Sequence, residues 1–362
     1  MKMSSQEKRA LLAMSGGVDS SVAACLLLEA GYEVTGVFMC LGTDEGAPGG
    51  CCSPQDAADA RRVADRLGID MFVLNVGDEF RPIVEGFLAE YERGRTPNPC
   101  IHCNALVKFG HLVARADSLG IGWVATGHHA RIVRGRAGSP AIARGLARDK
   151  DQSYALFAVG RDVLGRVLLP VGEVADKGHV RGIARRLGLH VHDKSDSQEI
   201  CFVPDDDYAA LLRARRPRAL RGGDIVDSSG RVLGRHDGYA RYTIGQRRGL
   251  GVAAGEPMYV TRIDPATATV TIGPRDEVMG RRLIAAGANW HADMPPEEPL
   301  AATVQIRYNH AGATATVRRT GDDRFEVHFD QPVCAITPGQ AAVVYDGDEL
   351  LGGGWIESRG ER

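Results

Sequence analysis

Apolar and polar residues follow two patterns along the first half of the chain. Short runs of apolar residues alternate with longer stretches in which apolar residues recur every three to four positions, as Ala60, Val63, Ala64 and Leu67 do. Runs of the first kind predict buried strands, and stretches of the second kind predict amphipathic helices. The predicted strands are Ala10–Met14, Glu33–Met39, Met71–Val76 and Trp123–Thr126, and the predicted helices are Ser20–Ala30, Gln55–Leu67, Glu79–Glu92, Ala105–Leu119 and Val174–Leu187. This alternation predicts an α/β domain over residues 1–205, with a doubly wound parallel sheet covered on both faces.

The pattern changes after Leu220, where short β-branched runs are separated by Gly, Pro and Asp. The strands predicted here are Asp224–Val226, Met258–Ile263, Thr267–Ile272, Thr303–Tyr308, Ala313–Val317, Arg324–Phe329 and Ala341–Tyr345. Many short strands without intervening helices predict small all-β domains. We therefore expect a central, mostly β domain over residues 206–280 and a C-terminal domain over residues 281–362, which we expect to be a β-barrel.

The composition is that of an ordinary globular protein. The chain has 362 residues, of which 44% are hydrophobic and 25% are charged. No apolar run approaches the ~18 residues of a membrane span, and the N-terminus does not resemble a secretory signal. We therefore expect a cytoplasmic protein that does not enter membranes.

Positive charge is concentrated in two parts of the chain. The formal net charge is −2, so affinity for nucleic acid has to come from local patches. Residues 130–150 contain six basic residues and one acid, and residues 211–250 contain ten arginines and three acids. Such patches attract phosphate groups without identifying them, and a solvated arginine-rich surface is the alternative.

The segment S-G-G-V-D-S-S at 15–21 follows the first predicted strand and opens the first predicted helix. A helix N-terminus attracts phosphate, and Gly16 and Gly17 let the backbone approach an anion closely. The serines add hydroxyl donors, whereas Asp19 is expected to cap the helix or to hold Mg²⁺. The segment lacks the lysine of G-x-x-x-x-G-K-[ST] and the spacing of G-x-G-x-x-G, and an ordinary strand-to-helix turn is the alternative. It resembles the pyrophosphate loop of enzymes that split ATP into AMP and pyrophosphate, which implies adenylation of a substrate oxygen.

Two segments place cysteines next to polar residues. The chain has eight cysteines, and without a secretory signal we expect reactive or metal-bound thiols rather than a disulfide framework. In T-P-N-P-C-I-H-C-N at 96–104, two prolines fix an extended approach and a CxxC leads into the helix predicted from Ala105. A thiol near a helix N-terminus has a stabilised thiolate, which lowers its pKa and raises its nucleophilicity at neutral pH. A second segment, D-S-Q-E-I-C-F-V at 196–203, carries Cys201.

Three interpretations of the cysteines stay open. Cys100 and Cys103 would supply two ligands of a structural zinc site, although the adjacent Cys51 and Cys52 have poor spacing for the other two. In a redox interpretation Cys103 pairs with Cys201, which the pyrophosphate loop upstream favours. Three cysteines lie in apolar or strand-like surroundings and are interpreted as buried, inert thiols: Cys25, Cys40 and Cys334.

Eight segments spread over the chain carry a family resemblance. They are A-M-S-G-G-V-D-S-S at 13–21, G-V-F-M at 36–39, G-R-T-P-N-P-C-I-H-C-N at 94–104, A-T-G-H-H-A-R at 125–131, K-D-Q-S-Y at 150–154, S-Q-E-I-C-F at 197–202, Y-T-I-G-Q-R-R-G at 242–249 and R-Y at 307–308. Together they resemble the tRNA-specific 2-thiouridylase family, whose members make 2-thiouridine at the wobble position of tRNA. The first segment is shared by many ATP pyrophosphatases, whereas the cysteine segments and K-D-Q-S-Y are more selective.

The resemblance implies an adenine nucleotide alpha-hydrolase-like N-terminal domain and an ATP-dependent tRNA-uridine 2-sulfurtransferase. It implies a nucleophile at Cys103 and a persulfide carrier at Cys201, which a disulfide would join after sulfur transfer. The positions implied for ATP are Ala13, Met14, Ser15, Gly16, Gly17, Val18, Asp19, Ser20, Met39 and Gly127. The positions implied for the target base or the rest of the tRNA are Asn98, Pro99, Cys100, His128, Lys150, Asp151, Gln152, Arg307, Tyr308 and Gln340.

The resemblance also implies cofactors and partners. ATP with Mg²⁺, tRNA, and a persulfide donor such as a cysteine desulfurase or a sulfur relay protein are expected. Cys100 departs from the pattern, because some family members have an acid there; a thiol with an ordinary pKa of about 8.5 is a poorer general acid. Cys100, Cys103 and Cys201 therefore also raise the alternative of an iron–sulfur cluster. The alternatives for function are a small-molecule ligase with the same loop, a different tRNA thiolase, and a non-catalytic tRNA-binding or zinc protein.

Overall fold

The structure is a computed structural model that describes residues 8–41, 53–136, 138–194, 200–203, 207–253, 255–292 and 298–360. The chain divides into two compact units. The first comprises Met1–Ile83, Cys100–Asp206 and Asp348–Leu351, and the second comprises Val84–Pro99, Asp207–Gly347 and Gly352–Arg362. Cys51, Cys52 and residues 196–199 of the second cysteine segment lie outside the described residues.

The first half of the chain alternates strands and helices. The elements are β1 (Arg9–Ala13), α1 (Val18–Glu29), β2 (Glu33–Cys40), α2 (Pro54–Leu67), β3 (Asp70–Asn75), α3 (Gly77–Glu92), α4 (Pro99–His102), a π-helix (Cys103–His111), α5 (Leu112–Ser118), β4 (Trp123–Ala125), β5 (Ala130–Arg134), β6 (Pro140–Arg144), β7 (Val167–Leu168) and α6 (Lys177–Arg186). Five of the strands form a parallel sheet in the order β3-β2-β1-β4-β7. The prediction of an α/β domain built on a parallel sheet is confirmed.

The core of the first unit is the sheet and the helices packed on it. Leu12, Val22 and Phe38 are buried in one cluster with apolar residues of α2 and α6. Helix α2 is amphipathic, as its sequence period predicts. It begins at the N-cap Ser53, whose hydroxyl accepts from the Asp56 amide at 3.0 Å, and ends at Gly68 in a left-handed conformation. Both caps satisfy backbone groups that a helix leaves unpaired at its ends.

Two helices begin farther than two residues from their predicted starts. The helix expected to begin at Ala105 begins at Pro99 and passes through the π-helix, because proline is pre-organised for the first helical position. Both cysteines of the CxxC therefore lie inside the helical segment rather than in the loop before it. The helix expected from Val174 begins at Lys177, because Asp176 is its N-cap and accepts from the His179 amide at 2.8 Å.

The second half of the chain is mostly β. Its elements are α7 (Tyr208–Arg215), β8 (Gly223–Val226), β9 (Val232–His236), β10 (Tyr259–Asp264), β11 (Thr269–Gly273), α8 (Arg275–Val278), β12 (Met279–Trp290), β13 (Leu300–Gln305), β14 (Ala313–Arg319), β15 (Arg324–Cys334), β16 (Ala341–Asp346) and β17 (Glu349–Arg359). Strands β8 to β11 form one sheet, and β12 to β17 close into a six-stranded barrel through the pairing of β12 with β17. The expected all-β structure with a final barrel is confirmed, and the domain limits stay predictions.

Several strands were not predicted from the sequence. The apolar period of β9, β12 and β17 is interrupted by glycine and arginine. Strands β5 and β6, which form an antiparallel hairpin within the basic stretch 130–150, were not predicted. No helix among the residues described is long and apolar enough to cross a membrane.

Candidate active site

The pyrophosphate loop lies at the point where the strand order of the sheet reverses. Strand β1 has β2 on one side and β4 on the other, and the chain reaches these neighbours by separate connections. Met14–Gly17 follows β1, and Gly127 follows β4. Open α/β sheets bind ligands at this switch point, outside the carboxyl ends of the strands. Both predicted ATP segments therefore lie where the fold offers a ligand crevice.

Two glycines allow the backbone to pack closely around the loop. Gly16 has φ +72°, and a Cβ atom added to it would lie 2.2 Å from the Asp56 carbonyl oxygen. A Cβ atom on Gly127 would lie 2.6 Å from the Ser20 amide nitrogen, in the first turn of α1. Neither position has room for a side chain, so the sequence needs glycine at both.

Serine hydroxyls hold the loop in shape. Ser20 Oγ accepts from the Ser15 amide at 3.1 Å and lies 3.2 Å from the Gly17 carbonyl oxygen. Ser21 is completely buried, and its hydroxyl donates to the same carbonyl at 2.8 Å. Only Ser15 is exposed, so its hydroxyl is the one best placed to meet a ligand.

Asp19 does not cap helix α1, contrary to expectation. The N-cap residue is Gly17, and no side chain caps the helix there. Both Asp19 carboxylate oxygens accept from Lys177 Nζ at 2.6 Å, and Oδ1 also lies 3.0 Å from His129 Nε2. Burial raises the pKa of Asp19, but the hydrogen bonds from His129 and Lys177 lower it more, so the group is ionised. The carboxylate is thus neutralised by a lysine beside the loop.

His129 and Gln152 join two of the predicted segments. The His129 amide donates to Gln152 Oε1 at 2.9 Å, and the Gln152 amide donates back to the His129 carbonyl at 2.9 Å. His129 is 2% exposed, and its Nδ1 atom has no hydrogen-bond partner within the described part of the chain. Gln152, predicted to touch tRNA, therefore also fixes the backbone that carries His129.

Asp151 and Lys150 lie beside these residues. The Asp151 carboxylate accepts from Arg144 Nη1 at 3.0 Å, from the Gly145 amide at 2.9 Å and from the Ser153 hydroxyl at 2.8 Å. These bonds fold the loop after β6 around the carboxylate. Lys150 is half-buried in the turn before it. The structure brings both positions into the same unit as the pyrophosphate loop.

His128 is held by an aromatic contact and a hydroxyl. Its ring stacks on Phe109 of the π-helix at 6.0 Å between centroids, and its Nδ1 lies 2.7 Å from Thr126 Oγ1. Burial lowers the pKa of His128 well below its ordinary value, and the charge of Lys108 lowers it further. The imidazole is therefore neutral at physiological pH, suited to hydrogen bonding rather than to pairing with phosphate.

The CxxC segment opens the helical run that ends at Ser118. Cys100 is exposed, whereas Cys103 is 7% exposed at the start of the π-helix. Next to it, Asn104 Nδ2 donates to the Ala155 carbonyl at 2.9 Å, and the buried Asn104 Oδ1 has no partner within the described residues. π-helical turns are uncommon and occur frequently at functional sites.

Cys201 lies on a short turn in the first unit. The Val203 amide donates to the Ile200 carbonyl at 2.8 Å, and the Phe202 ring packs edge-on against Phe80 at 5.5 Å between centroids. Phe80 follows β3 in the first turn of α3, which places Cys201 towards the carboxyl ends of the sheet strands. Cys103 and Cys201 thus belong to one compact unit together with the pyrophosphate loop.

The other cysteines among the described residues are less exposed to solvent than Cys100. Burial raises the pKa of the Cys25 thiol to about 11, which makes it inert at neutral pH. Cys40 and Cys334 are half-buried. Within the described ranges, no group of three or more His, Cys, Asp or Glu residues is arranged to hold a metal ion. Cys100, Cys103 and Cys201 therefore do not form a ligand set for an iron–sulfur cluster in this conformation.

The loop that precedes Cys100 is fixed by hydrogen bonds within the second unit, to which residues 96–99 belong. Gln340 Nε2 donates to the Thr96 carbonyl at 2.9 Å, and the Thr96 amide donates to the Pro338 carbonyl at 3.0 Å. Gln340, predicted to touch tRNA, is therefore bonded to the backbone just before Asn98 and Pro99.

The predicted positions Arg307 and Tyr308 lie in a loop of the second unit. Buried Gln305 donates from Nε2 to the Tyr308 carbonyl at 2.9 Å and supports the loop from beneath. Tyr308 is 43% exposed, and Arg307 donates to the Cys334 carbonyl at 2.7 Å. An exposed tyrosine beside an arginine suits contact with RNA, through stacking and phosphate binding.

Sequence reasoning missed two lysines. Lys177 and Lys194 both reach the pyrophosphate loop, Lys177 through Asp19 and Lys194 through the Gly16 carbonyl at 3.0 Å. Lys177 is the first residue of α6, where the helix dipole disfavours a positive charge. A lysine at the start of a predicted helix was therefore the sequence feature that could have indicated a role for Lys177. His129 was visible in the motif but had no assigned role.

The parallel sheet, the loop after β1 and the glycine after β4 define a nucleotide-binding α/β protein of the adenine nucleotide alpha-hydrolase-like class. Family models match three parts of the chain: the tRNA methyl transferase HUP domain at residues 8–205, the tRNA methyl transferase PRC-barrel domain at 211–274 and the aminomethyltransferase β-barrel domain at 280–356.

Near full-length relatives are more specific. The tRNA-specific 2-thiouridylase MnmA of Carboxydothermus hydrogenoformans is 51% identical over 97% of this chain and 98% of its own. The proteins of the same name from Geotalea uraniireducens and Syntrophotalea carbinolica are 46% and 48% identical, over 99% and 98% of this chain and 97% and 100% of their own. The chain therefore belongs to the tRNA-specific 2-thiouridylase family. Among solved structures, a 4-thiouridine synthetase in complex with RNA and ATP is 17% identical at a TM-score of 0.37, over 58% of this chain and 50% of that one.

Proposed function

We propose that this chain is an ATP-dependent tRNA-uridine 2-sulfurtransferase that makes 2-thiouridine at the wobble position. The likeness to 2-thiouridylases over nearly the whole chain, at up to 51% identity, carries the proposal. The structure adds a pyrophosphate loop, Cys103 and Cys201 within one compact unit. A ligase of small molecules would not need a persulfide, so it would have no use for this pair of cysteines.

The first chemical step is adenylation of the target uridine. A carbonyl oxygen is a poor leaving group, and transfer of AMP from ATP to that oxygen turns it into a good one. The amide groups at the start of α1 and the hydroxyl of Ser15 would stabilise the departing pyrophosphate. Gly127 lets the chain after β4 approach this helix end, and Met39 is the second-last residue of the neighbouring strand β2, so both suit the walls of an adenosine pocket.

Sulfur transfer follows at the activated carbon. The terminal sulfur of a Cys201 persulfide attacks the ring carbon, and AMP leaves with the former carbonyl oxygen. The Cys103 thiolate then attacks the Cys201 Sγ atom and breaks its bond to the transferred sulfur, which stays on the base with the electron pair. A Cys103–Cys201 disulfide remains, and a reductant that supplies two electrons restores both thiols. A cysteine desulfurase or a sulfur relay protein would supply the persulfide.

The target base has to leave the anticodon stack to reach this chemistry. The loop of Thr96 to Pro99 is rigid because two prolines limit its backbone and Gln340 holds its carbonyl. We assign Asn98, Pro99 and Cys100 to the pocket for that base. We further propose that seven positions bind or organise the tRNA: His128, Lys150, Asp151, Gln152, Arg307, Tyr308 and Gln340.

A magnesium ion would accompany the nucleotide. Asp19 is the only acid of the pyrophosphate loop, and Lys177 and His129 already occupy its oxygens. The loop therefore does not offer a carboxylate cage, which suits Mg²⁺ bound mainly by phosphate oxygens and water.

The function is tested by nucleoside analysis. Unmodified tRNA is incubated with the full chain, ATP, Mg²⁺, a cysteine desulfurase and cysteine, and its nucleosides are identified by mass spectrometry. We expect 2-thiouridine, together with AMP whose formation requires tRNA. AMP formed equally well without tRNA would instead indicate a small-molecule ligase, and a thiolated nucleoside other than 2-thiouridine would indicate a different tRNA thiolase.

Replacing Lys177 should weaken ATP binding. The variant Lys177→Met leaves the Asp19 carboxylate without its main partner, next to the place where phosphate binds. The unneutralised carboxylate would repel the phosphates, and two charges a few ångströms apart interact by about 1–4 kcal/mol near a protein surface, so we expect a loss of about 10- to 100-fold in ATP affinity by calorimetry. Arg186→Met, an exposed position at the end of the same helix, should leave affinity unchanged. The double variant Asp19→Asn, Lys177→Met should recover part of the loss, and wild-type affinity in Lys177→Met would disprove the role.

A further inference from the structure

The segment Y-T-I-G-Q-R-R-G at 242–249 has no role in the chemistry proposed above, and it folds as a tight turn. The Gln246 amide donates to the Thr243 carbonyl at 2.9 Å. The Gln246 side chain accepts from the Thr243 amide at 3.1 Å and donates to the Arg248 carbonyl at 3.0 Å. A single glutamine thus holds the backbone on both sides of itself in one conformation.

The turn is fixed to the rest of the second unit. The Gly245 amide donates to the Val260 carbonyl at 2.8 Å, and the Val260 amide donates to the Gln246 carbonyl at 2.9 Å, which attaches the turn to strand β10. Gly245 has φ +86°, and a Cβ atom added to it would lie 2.4 Å from the Ala335 Cβ atom. The turn therefore packs too closely on its surroundings to move as a flexible loop does.

Arg247 and Arg248 follow this turn directly, and both are exposed. Leu250, which comes next but one, is 7% exposed and returns the chain to the core. The two arginines therefore lie on a short stretch of backbone that is held at both ends. Neither guanidinium group forms an ion pair or a hydrogen bond with a residue that the structure describes. Their charges are available to a ligand without breaking a bond inside the protein.

Most other arginines of the basic stretch 211–250 are bonded within the protein. Those held by acids or by carbonyl oxygens are Arg215, Arg216, Arg221, Arg231, Arg235 and Arg241. Arg213 and Arg218 also have no such partner among the described residues, but neither has another arginine of this kind next to it in the chain. The positive charge that is not neutralised is therefore most concentrated at Arg247 and Arg248.

A groove of about 490 Å³ adjoins Arg247. Its other described walls are residues 249–253 and 256–258, which are mostly glycine backbone and apolar side chains, with Glu256 as the one acid among them. Pockets of about 300–1,000 Å³ accommodate organic ligands, so this groove has room for more than a free phosphate ion. It suits a phosphate that is carried by a ribose and a base.

We propose that Arg247 and Arg248 form a binding site for the phosphate backbone of tRNA. An arginine side chain can donate two parallel hydrogen bonds to one phosphate, and the fixed turn lowers the entropy cost of binding. Phosphate contacts carry no sequence information, so the site positions the RNA and does not select the target base. The inference deepens the proposed function and rests on it for the choice of tRNA as ligand.

The test is the affinity of the full chain for unmodified tRNA, measured by fluorescence anisotropy over a range of salt concentrations. We expect the double variant Arg247→Gln, Arg248→Gln to bind tRNA about 10- to 100-fold more weakly. The slope of log affinity against log salt should become shallower by about 1.5, because two phosphate contacts are lost. ATP affinity should be unchanged, and in AMP formation KM for tRNA should rise while kcat persists.

The double variant Arg231→Gln, Arg235→Gln is the charge-matched control. Both arginines are exposed in the same unit, but Asp227 and Asp224 lie beside them. The control also removes two positive charges, and we expect tRNA affinity within about threefold of wild type, since an exposed ion pair contributes little. An equal loss in the control would show that diffuse surface charge binds the RNA, and it would overturn the proposal.

Wild-type tRNA affinity and salt slope in Arg247→Gln, Arg248→Gln also overturn the proposal. Weaker binding of the cysteine desulfurase by that variant, with tRNA binding intact, would identify a protein interface instead. If the variant does not fold, Arg247→Lys, Arg248→Lys decides, because lysine keeps the charge without the planar fork. We expect severalfold weaker binding at an unchanged salt slope, and full affinity would exclude phosphate recognition by the fork. Failure of the proposed function would appear separately, as absence of 2-thiouridine with the wild-type chain.

Discussion

Serine at position 103 or position 201 is expected to reduce 2-thiouridine formation to background while ATP binding persists. A serine hydroxyl cannot carry a persulfide, and at neutral pH it is a far poorer nucleophile than a thiolate. The two variants should differ in one respect. Cys103→Ser should still accept sulfur on Cys201, whereas Cys201→Ser should not, and peptide mass spectrometry of the alkylated persulfide separates them.

Matched controls exist for this prediction within the chain. Cys40→Ser and Cys334→Ser change half-buried thiols outside the proposed chemistry, so thiolation should persist in both. Calorimetry with ATP checks that each variant retains its nucleotide site. Thiolation that survives in both Cys103→Ser and Cys201→Ser would refute the assigned roles.

The second large effect is expected from Gly16→Ala. Alanine resists the left-handed backbone of Gly16 at a cost of about 1–2 kcal/mol. Its Cβ atom would also lie 2.2 Å from the Asp56 carbonyl oxygen, so the loop or the start of α2 has to move. Because the same backbone is expected to hold the pyrophosphate, ATP-dependent AMP formation should fall to background, measured with labelled ATP and tRNA.

Gly68→Ala is the control for backbone strain. Gly68 has φ +67° at the end of α2, nearly the value of Gly16, but open space surrounds its missing Cβ atom. We expect a similar loss of stability by thermal unfolding, with AMP formation intact. Equal activity of Gly16→Ala and Gly68→Ala would show that the close approach to Asp56 is not needed for the reaction.

The sequence was most informative where a local pattern determines local structure. The loop 15–21 could be recognised because glycine and serine between a strand and a helix have few other uses. The parallel sheet followed from the alternation of strands and helices. Lys177 and Lys194 could not be found in this way, because their partners Asp19 and Asp59 lie more than a hundred residues away in the chain.

Other errors arose where one residue has two plausible roles. Asp19 has the residue type of a helix cap, but its carboxylate is used by Lys177 and His129 instead. The CxxC was assigned to a loop because the helical period became visible only after Ala105. Asp151 was assigned to tRNA contact from the resemblance alone; the structure shows in addition that its carboxylate organises a loop, which no pattern of neighbouring residues reveals.

Residues Cys103 to His111 form a π-helix. In such a stretch the number of residues affects the direction of the side chains as much as their identity does. A π-helix accommodates an extra residue compared with an α-helix, so a one-residue deletion would let the stretch rewind into α-helical geometry. Each residue of an α-helix turns the chain by about 100° about the axis, so rewinding would swing Cys103 and Asn104 off the face they now bury. The direction of the Cys103 thiol therefore depends on the number of residues in the π-helix. Substitutions within the π-helix should be tolerated more readily than insertions or deletions.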